Sequence, residues 1–179
     1  MVGSNLPAIG GTLRIGGKGC FVAESCEYTN SFLRFAPTVS VILNVEEDHL
    51  DFFKDINDII HSFHEFAELT PMNGLVVVNH DDPNAMRAVA HIDRRIRTFG
   101  TTSDADVYPT EVRDENGYYR FTVNIDGKEY AKVALSVPGR HNMLNALACC
   151  AAAEFLGVPG EAAEKGLNKF TGSSRRFQL

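Results

Sequence analysis

The sequence predicts an α/β fold: a mostly parallel sheet flanked by helices, with a small three-stranded antiparallel subdomain over about 106–137. Three observations predict it. Leu75-Val76-Val77-Val78-Asn79 is an unbroken apolar run of the kind buried on both faces of a parallel sheet. Strand-like runs alternate with helical periodicity up to Gly100, as crossover-connected parallel strands require. The pattern then changes to apolar–polar alternation, broken at Asn116-Gly117 and Asp126-Gly127, two dipeptides suited to tight hairpins.

The elements follow in order. Residues 1–19 are glycine-rich, and Gly16-Gly17-Lys18-Gly19 resembles a phosphate loop only superficially. No Ser or Thr follows the lysine, and the pattern of glycine, four residues, then Gly-Lys-Ser/Thr occurs nowhere, so a turn is expected there. Phe21 to Ser25 reads as a short strand, Val39 to Leu43 as a second, Leu75 to Asn79 as a third and Arg95 to Phe99 as a fourth. Between them, Ile56, Ile59, Ile60, Phe63 and Ala67 fall at helical spacing within 55–69. Asp82-Pro83 reads as an N-cap and first helical position, for a helix running to about Ile92. The meander is expected at 106–112, 118–125 and 129–136, as a β-subdomain packed on the main sheet. Pro138-Gly139-Arg140 breaks the chain before a helix over about 142–155, with Leu144, Leu147, Ala148, Ala151 and Phe155 inward. A last helix over about 160–169 turns Ala163 and Leu167 inward.

Composition narrows the function. A chain of 179 residues with 44% hydrophobic content is long enough to bury a core as one domain. The net charge of -6 leaves no basic footprint for nucleic acid. No apolar run is long enough for a membrane span, and the N-terminus has no signal-peptide pattern. Cys20, Cys26, Cys149 and Cys150 lack metal or redox spacing and read as reduced thiols of a cytoplasmic protein.

Three groups of residues carry chemistry. The first is Asn44-Val45-Glu46-Glu47-Asp48-His49-Leu50-Asp51, delivered at the C-terminal end of a predicted strand. In open α/β sheets ligands bind at that edge. Asp48, His49 and Asp51 offer oxygen and nitrogen ligands to a hard cation; the plain alternative is a solvated acidic loop before the next helix. Glu24 ends the neighbouring predicted strand, where a carboxylate is costly to bury unless it binds something. Glu24 and His49 would then share one rim and one metal ion. The polar segment Ser25 to Ser31 after it could face a substrate. The second group is Asn142 and Asn145, two carboxamides on one helical turn that can bond a heterocycle edge, or else a capping and a surface asparagine. The third is Arg175-Arg176, either solvated or in contact with phosphate. His61 and His64 lie on one helical face among apolar residues and read as surface or packed histidines.

Five markers in order resemble the Mur ligase family of ATP-dependent amide-forming enzymes of peptidoglycan synthesis. They are Val22-Ala23-Glu24, Asn44 to Asp51, Asn79-His80-Asp81-Asp82-Pro83, Gly139-Arg140-His141-Asn142-Met143-Leu144-Asn145-Ala146 and Arg175-Arg176-Phe177. Glu24 to Leu33 and Gly172 to Phe177 resemble the alanine-adding branch, which acts on UDP-N-acetylmuramate and L-alanine. The resemblance implies a P-loop-NTPase-like central domain and ATP and Mg²⁺ as cofactors. It implies Glu24 and His49 as metal ligands, Asn142 and Asn145 beside the adenine, and Arg176 on the nucleotide phosphates. It also implies a truncated central domain over 1–179, without the P-loop and without the N-terminal UDP-sugar and C-terminal domains. Such a piece would bind ATP weakly, would not catalyse ligation alone, and could pair with a second copy through an open sheet edge. The carbamoylated lysine of many relatives has no counterpart at 55–70, which contains no lysine; this suits the alanine-adding branch. A tripeptide-adding ligase of peptidoglycan recycling is the nearest sibling reading. A metal-dependent hydrolase using Asp48, His49 and Asp51 is the reading from another class, and a non-catalytic module on the same fold is a third.

Overall fold

A computed structural model describes residues 3, 5–17 and 19–172. Among them, six strands form one sheet in the order β1-β2-β3-β4-β5-β6. These are β1 (Val39–Ile42), β2 (Leu75–Asn79), β3 (Ile96–Phe99), β4 (Val107–Glu115), β5 (Tyr118–Ile125) and β6 (Lys128–Ala134). The helices are α1 (Ile56–Glu68), α2 (Pro83–Ala88), α3 (Arg140–Phe155) and α4 (Gly160–Asn168). Short 3-10 turns lie at Pro7–Ile9 and Tyr28–Arg34.

β1, β2 and β3 are parallel, in the register Ser40↔Val76 and Val77↔Arg97. All of β2 is buried, which explains its lack of alternation: each face meets a separate apolar cluster. Val76 and Val78 join Ile42 against α1, α2 and Phe32. Leu75 and Val77 join Phe99, Val107 and Val123 against α3. α3 is apolar nearly all round, as a helix laid across a sheet can be. Asp55 caps α1 by accepting from the Asn57 and Asp58 N–H groups, and Asp82 caps α2 by accepting from Ala85 N–H.

The meander is present, but it extends the sheet. β4 joins β3 in parallel through Phe99↔Val107, then pairs antiparallel with β5, and β5 with β6. The two expected layers are therefore one continuous sheet with a shared core. The register of β4 shifts between Thr110 and Arg113, where Glu111 takes a left-handed φ of 54°.

Two expected elements differ. Phe21–Ser25 is not a strand, and Phe21 and Val22 are each 72% exposed. β-forming composition alone does not make a strand: it needs a hydrogen-bond ladder with a neighbour, and the sheet runs from β1 to β6 without this segment. α2 stops at Ala88 rather than near Ile92. Val89 and Ile92 stay buried, but His91 adopts φ 65°, turning the chain toward β3.

Candidate metal and nucleotide site

The site begins with how the sequence holds the acidic loop. Asn79, at the end of β2, donates from Nδ2 to the Leu43 carbonyl at 3.0 Å. Asp82 accepts from the Val45 N–H at 3.4 Å, and Asn84 donates to the Val45 carbonyl at 3.1 Å. The Asn79-to-Asn84 segment thus clamps the chain as it leaves β1, with Val45 buried beneath it. Phe53 anchors the far end of the loop, at 3% exposure. Between these anchors the backbone turns tightly: Phe52 and Phe53 N–H groups both donate to the His49 carbonyl, at 2.8 and 2.9 Å. His49 takes a left-handed φ of 52°, uncommon for a residue with a side chain.

A second loop meets this one. Glu27 precedes the 3-10 turns over Tyr28–Arg34, which are interrupted by left-handed Thr29 and Asn30 at φ 55° and 56°. Phe32 fixes these turns by stacking on Phe66 at 4.7 Å. Asn30 Oδ1 accepts from Ser62 on α1 at 2.5 Å. The Tyr28 ring stacks on His49, with centroids 4.5 Å apart, and its hydroxyl donates to Asp51 at 2.7 Å. That carboxylate, by accepting the hydroxyl proton and by its charge, holds the Tyr28 phenol above its ordinary value.

The result is a group of three potential ligands. Glu27, Asp48 and His49 each offer an atom within 4.8 Å of the others, with His49 Nε2 3.5 Å from Glu27 Oε1. Two carboxylates and one imidazole, half-open to solvent, suit a hard divalent cation that keeps water or phosphate oxygens in its remaining positions. The donor set therefore fits Mg²⁺.

The sequence-expected residues fall as follows. His49 lies in this group. Glu24 is exposed, is not a member of the group, and its carboxylate accepts from the Gly3 N–H. Asp51 is engaged by Tyr28. Asn142 and Asn145 lie in the first turns of α3, where Asn142 Nδ2 donates to the Pro138 carbonyl at 2.7 Å and Asn145 is exposed. Arg176 lies outside the described residues. His64 bonds the Ala88 carbonyl at 2.9 Å and His61 pairs with Glu65 at 3.7 Å, so neither joins the group. With Asp51 and both histidines engaged elsewhere, the hydrolase reading has no support.

Sequence reasoning did not single out Glu27 or Tyr28. Their only signal was the polar run Ser25 to Ser31, because their approach to His49 depends on left-handed residues that are not glycine. It also missed a brace along the same rim. Asp81 accepts from the Thr101 N–H at 2.9 Å and its hydroxyl at 2.8 Å, and Arg140 donates to that hydroxyl at 3.4 Å. The loops after β2 and β3 are thereby tied to the start of α3. The acidic loop and this brace both sit at the C-terminal ends of the parallel strands, where such sheets bind ligands.

Comparison with known proteins identifies the family and the fold. Residues 16–153 match the model of the Mur ligase middle domain. The chain is 46% identical over 178 residues to the UDP-N-acetylmuramate–L-alanine ligase of Agathobacter rectalis, covering 99% of this chain and 39% of that protein. It superposes on the UDP-N-acetylmuramate-alanine ligase of Thermotoga maritima with a TM-score of 0.81 and 27% identity, covering 99% of this chain and 39% of the other. A Neisseria ligase that joins UDP-N-acetylmuramate to L-alanyl-γ-D-glutamyl-meso-diaminopimelate gives 0.75 at 30% identity, covering 87% and 49%. The chain thus spans about two fifths of the length of the curated relative it matches. With the sheet order, the acidic loop and the asparagine-bearing helix all in place, the chain belongs to the Mur ligase family, and residues 16–153 correspond to its middle domain.

Proposed function

We propose that this chain is the ATP-binding central part of a ligase that joins L-alanine to UDP-N-acetylmuramate. The observation that carries the reading is the Glu27, Asp48 and His49 group at the strand ends, in a chain similar over nearly its whole length to relatives with that name. In this reaction the sugar carboxylate takes the γ-phosphoryl group of ATP. The alanine amino group then attacks the acyl phosphate, an amide forms and phosphate leaves.

The chain's own contribution is positioning and charge. His49, Glu27 and Asp48 would hold Mg²⁺, with Glu24 the further ligand implied by the family. The ion supplies charge screening around the transferring phosphoryl group. Asn142 and Asn145 would lie beside the adenine, braced through Arg140 to Thr101 and Asp81. Arg176 would meet the phosphates. The reaction belongs to the cytoplasm, where ATP is held. Val41 and Leu43, 40% and 39% exposed on β1 and just beyond it, support pairing of this sheet edge with a second copy.

The test uses this chain within the full length of its relatives, supplied with ATP, Mg²⁺, UDP-N-acetylmuramate and L-alanine. The reading predicts ADP, phosphate and an alanyl amide, with His49→Ala reducing the rate about a hundredfold or more. ATP-dependent use of a tripeptide in place of alanine would favour the recycling ligase. Ester hydrolysis without ATP would overturn both.

A further inference from the structure

We propose that Tyr28 is a positioning residue of the metal group: it orients the His49 imidazole and selects which aspartate stands beside it. The inference rests on the metal reading above. Four observations carry it. The Tyr28 ring covers His49 at 4.5 Å with an interplanar angle of 29°, leaving Nε2 directed at Glu27, 3.5 Å away. The Tyr28 hydroxyl engages Asp51 at 2.7 Å, and the gathered group contains Asp48 and not Asp51. Phe52 backs the Tyr28 ring edge-on at 6.1 Å. Ser31 Oγ donates to the Tyr28 carbonyl at 2.6 Å, fixing the backbone from which the ring projects.

The geometry makes Tyr28 a link between the two loops, beside the Glu27–His49 contact. Each has its own anchor in the core, Phe32 for one and Phe53 for the other. Between them stand Thr29, Asn30 and His49, all left-handed without being glycine. Such conformations persist where surrounding contacts over-determine them. Stacking supplies one of those contacts and the phenol–carboxylate hydrogen bond another. Removing the ring frees the His49 side chain to turn away from Glu27. Removing only the hydroxyl leaves the stack and releases Asp51. Groups that orient a ligand from behind set its affinity without touching the ion.

The experiment titrates the 179-residue chain with Mn²⁺ alone, reading free Mn²⁺ by electron paramagnetic resonance. It compares the unaltered chain with Tyr28→Leu, Tyr28→Phe and His49→Ala, and follows the His49 ring protons by NMR without metal. Tyr28 is 37% exposed, so either substitution leaves the core intact. The expected result is about a tenfold loss of Mn²⁺ affinity in Tyr28→Leu and about threefold or less in Tyr28→Phe. The ring-current shift on His49 should vanish in the first and persist in the second. Unchanged affinity in Tyr28→Leu beside a large loss in His49→Ala would overturn the role of Tyr28 alone. Equal losses in the two Tyr28 variants would overturn the stacking role. No Mn²⁺ binding by the unaltered chain, or none lost in His49→Ala, would overturn the metal reading and this inference with it.

Discussion

Asn79, Asp82 and Asn84 each do two jobs. Asn79 ends β2 and holds the Leu43 carbonyl; Asp82 caps α2 and reaches Val45; Asn84 lies in α2 and grips Val45 from the other side. That double use explains why this segment and the acidic loop occur together: one fixes the exit path of the other. The capping role of Asp82 was legible in the sequence, because an aspartate before proline is a local signal. Its reach to Val45, 37 residues away, was not. The cysteines show a similar division. All four are free thiols, as their spacing suggested, but their environments differ. Burial pushes the Cys150 thiol from an ordinary 9.0 up to about 12, and raises Cys149 as well. The folded state therefore favours the neutral thiol. That contribution to stability is complete below about pH 9 and is lost as pH rises toward 12. We predict that thiol reagent at pH 8 labels Cys20 and Cys26 quickly, the exposed Cys149 more slowly because its thiol is held neutral, and the buried Cys150 only on unfolding. The melting temperature should fall between pH 9 and 12, less steeply in Cys150→Ala. Fast labelling of Cys150 in the folded chain would contradict this.

The two ends of the sheet are treated differently. At one end, α4 lies against β6 and satisfies its outward donors: Glu164 accepts from the Lys132 N–H at 3.1 Å and Asn168 from the Ala134 N–H at 2.7 Å. The Tyr130 hydroxyl donates to the Val158 carbonyl at 2.7 Å, completing the seam. This manages an edge strand with a covering helix. The approach is so close that a Cβ on Gly160 would sit 1.7 Å from the Tyr130 carbonyl oxygen, a backbone atom that cannot step aside. Gly160→Ala should therefore cost at least about 2 kcal/mol in urea unfolding, and a change under about 0.5 kcal/mol would show that the seam is loose. At the other end, β1 carries exposed Val41 and is followed by exposed Leu43. Helices α1, α3 and α4 and the strands β1 to β6 could be read from the sequence, because periodicity and turn dipeptides act locally. The failed strand at Phe21–Ser25 marks the limit: its residues favour a strand, but a strand is a property of a pair.

At the scale of the molecule, one continuous sheet with a core on each face carries its chemistry along a single rim. The acidic loop after β1, the Asp81–Thr101 brace after β2 and β3, and the start of α3 all lie there. That placement follows from parallel topology, which points every strand end the same way, and it was expected once alternation of strand and helix was recognised. Which side chains meet on the rim was only partly legible. His49 was expected and lies in the gathered group; Glu27 and Tyr28 reach it through left-handed turns that leave no periodic trace. The 179 residues contain no phosphate-binding glycine–lysine run, so the proposed metal and adenine contacts would act without that cradle. On the proposed reading, these residues recognise a metal–nucleotide complex and do so weakly by themselves. Isothermal titration of the 179-residue chain with Mg-ATP tests it most directly. The prediction is a dissociation constant weaker than about 1 μM that weakens about tenfold further in His49→Ala. Sub-micromolar binding, or binding indifferent to His49, would contradict it.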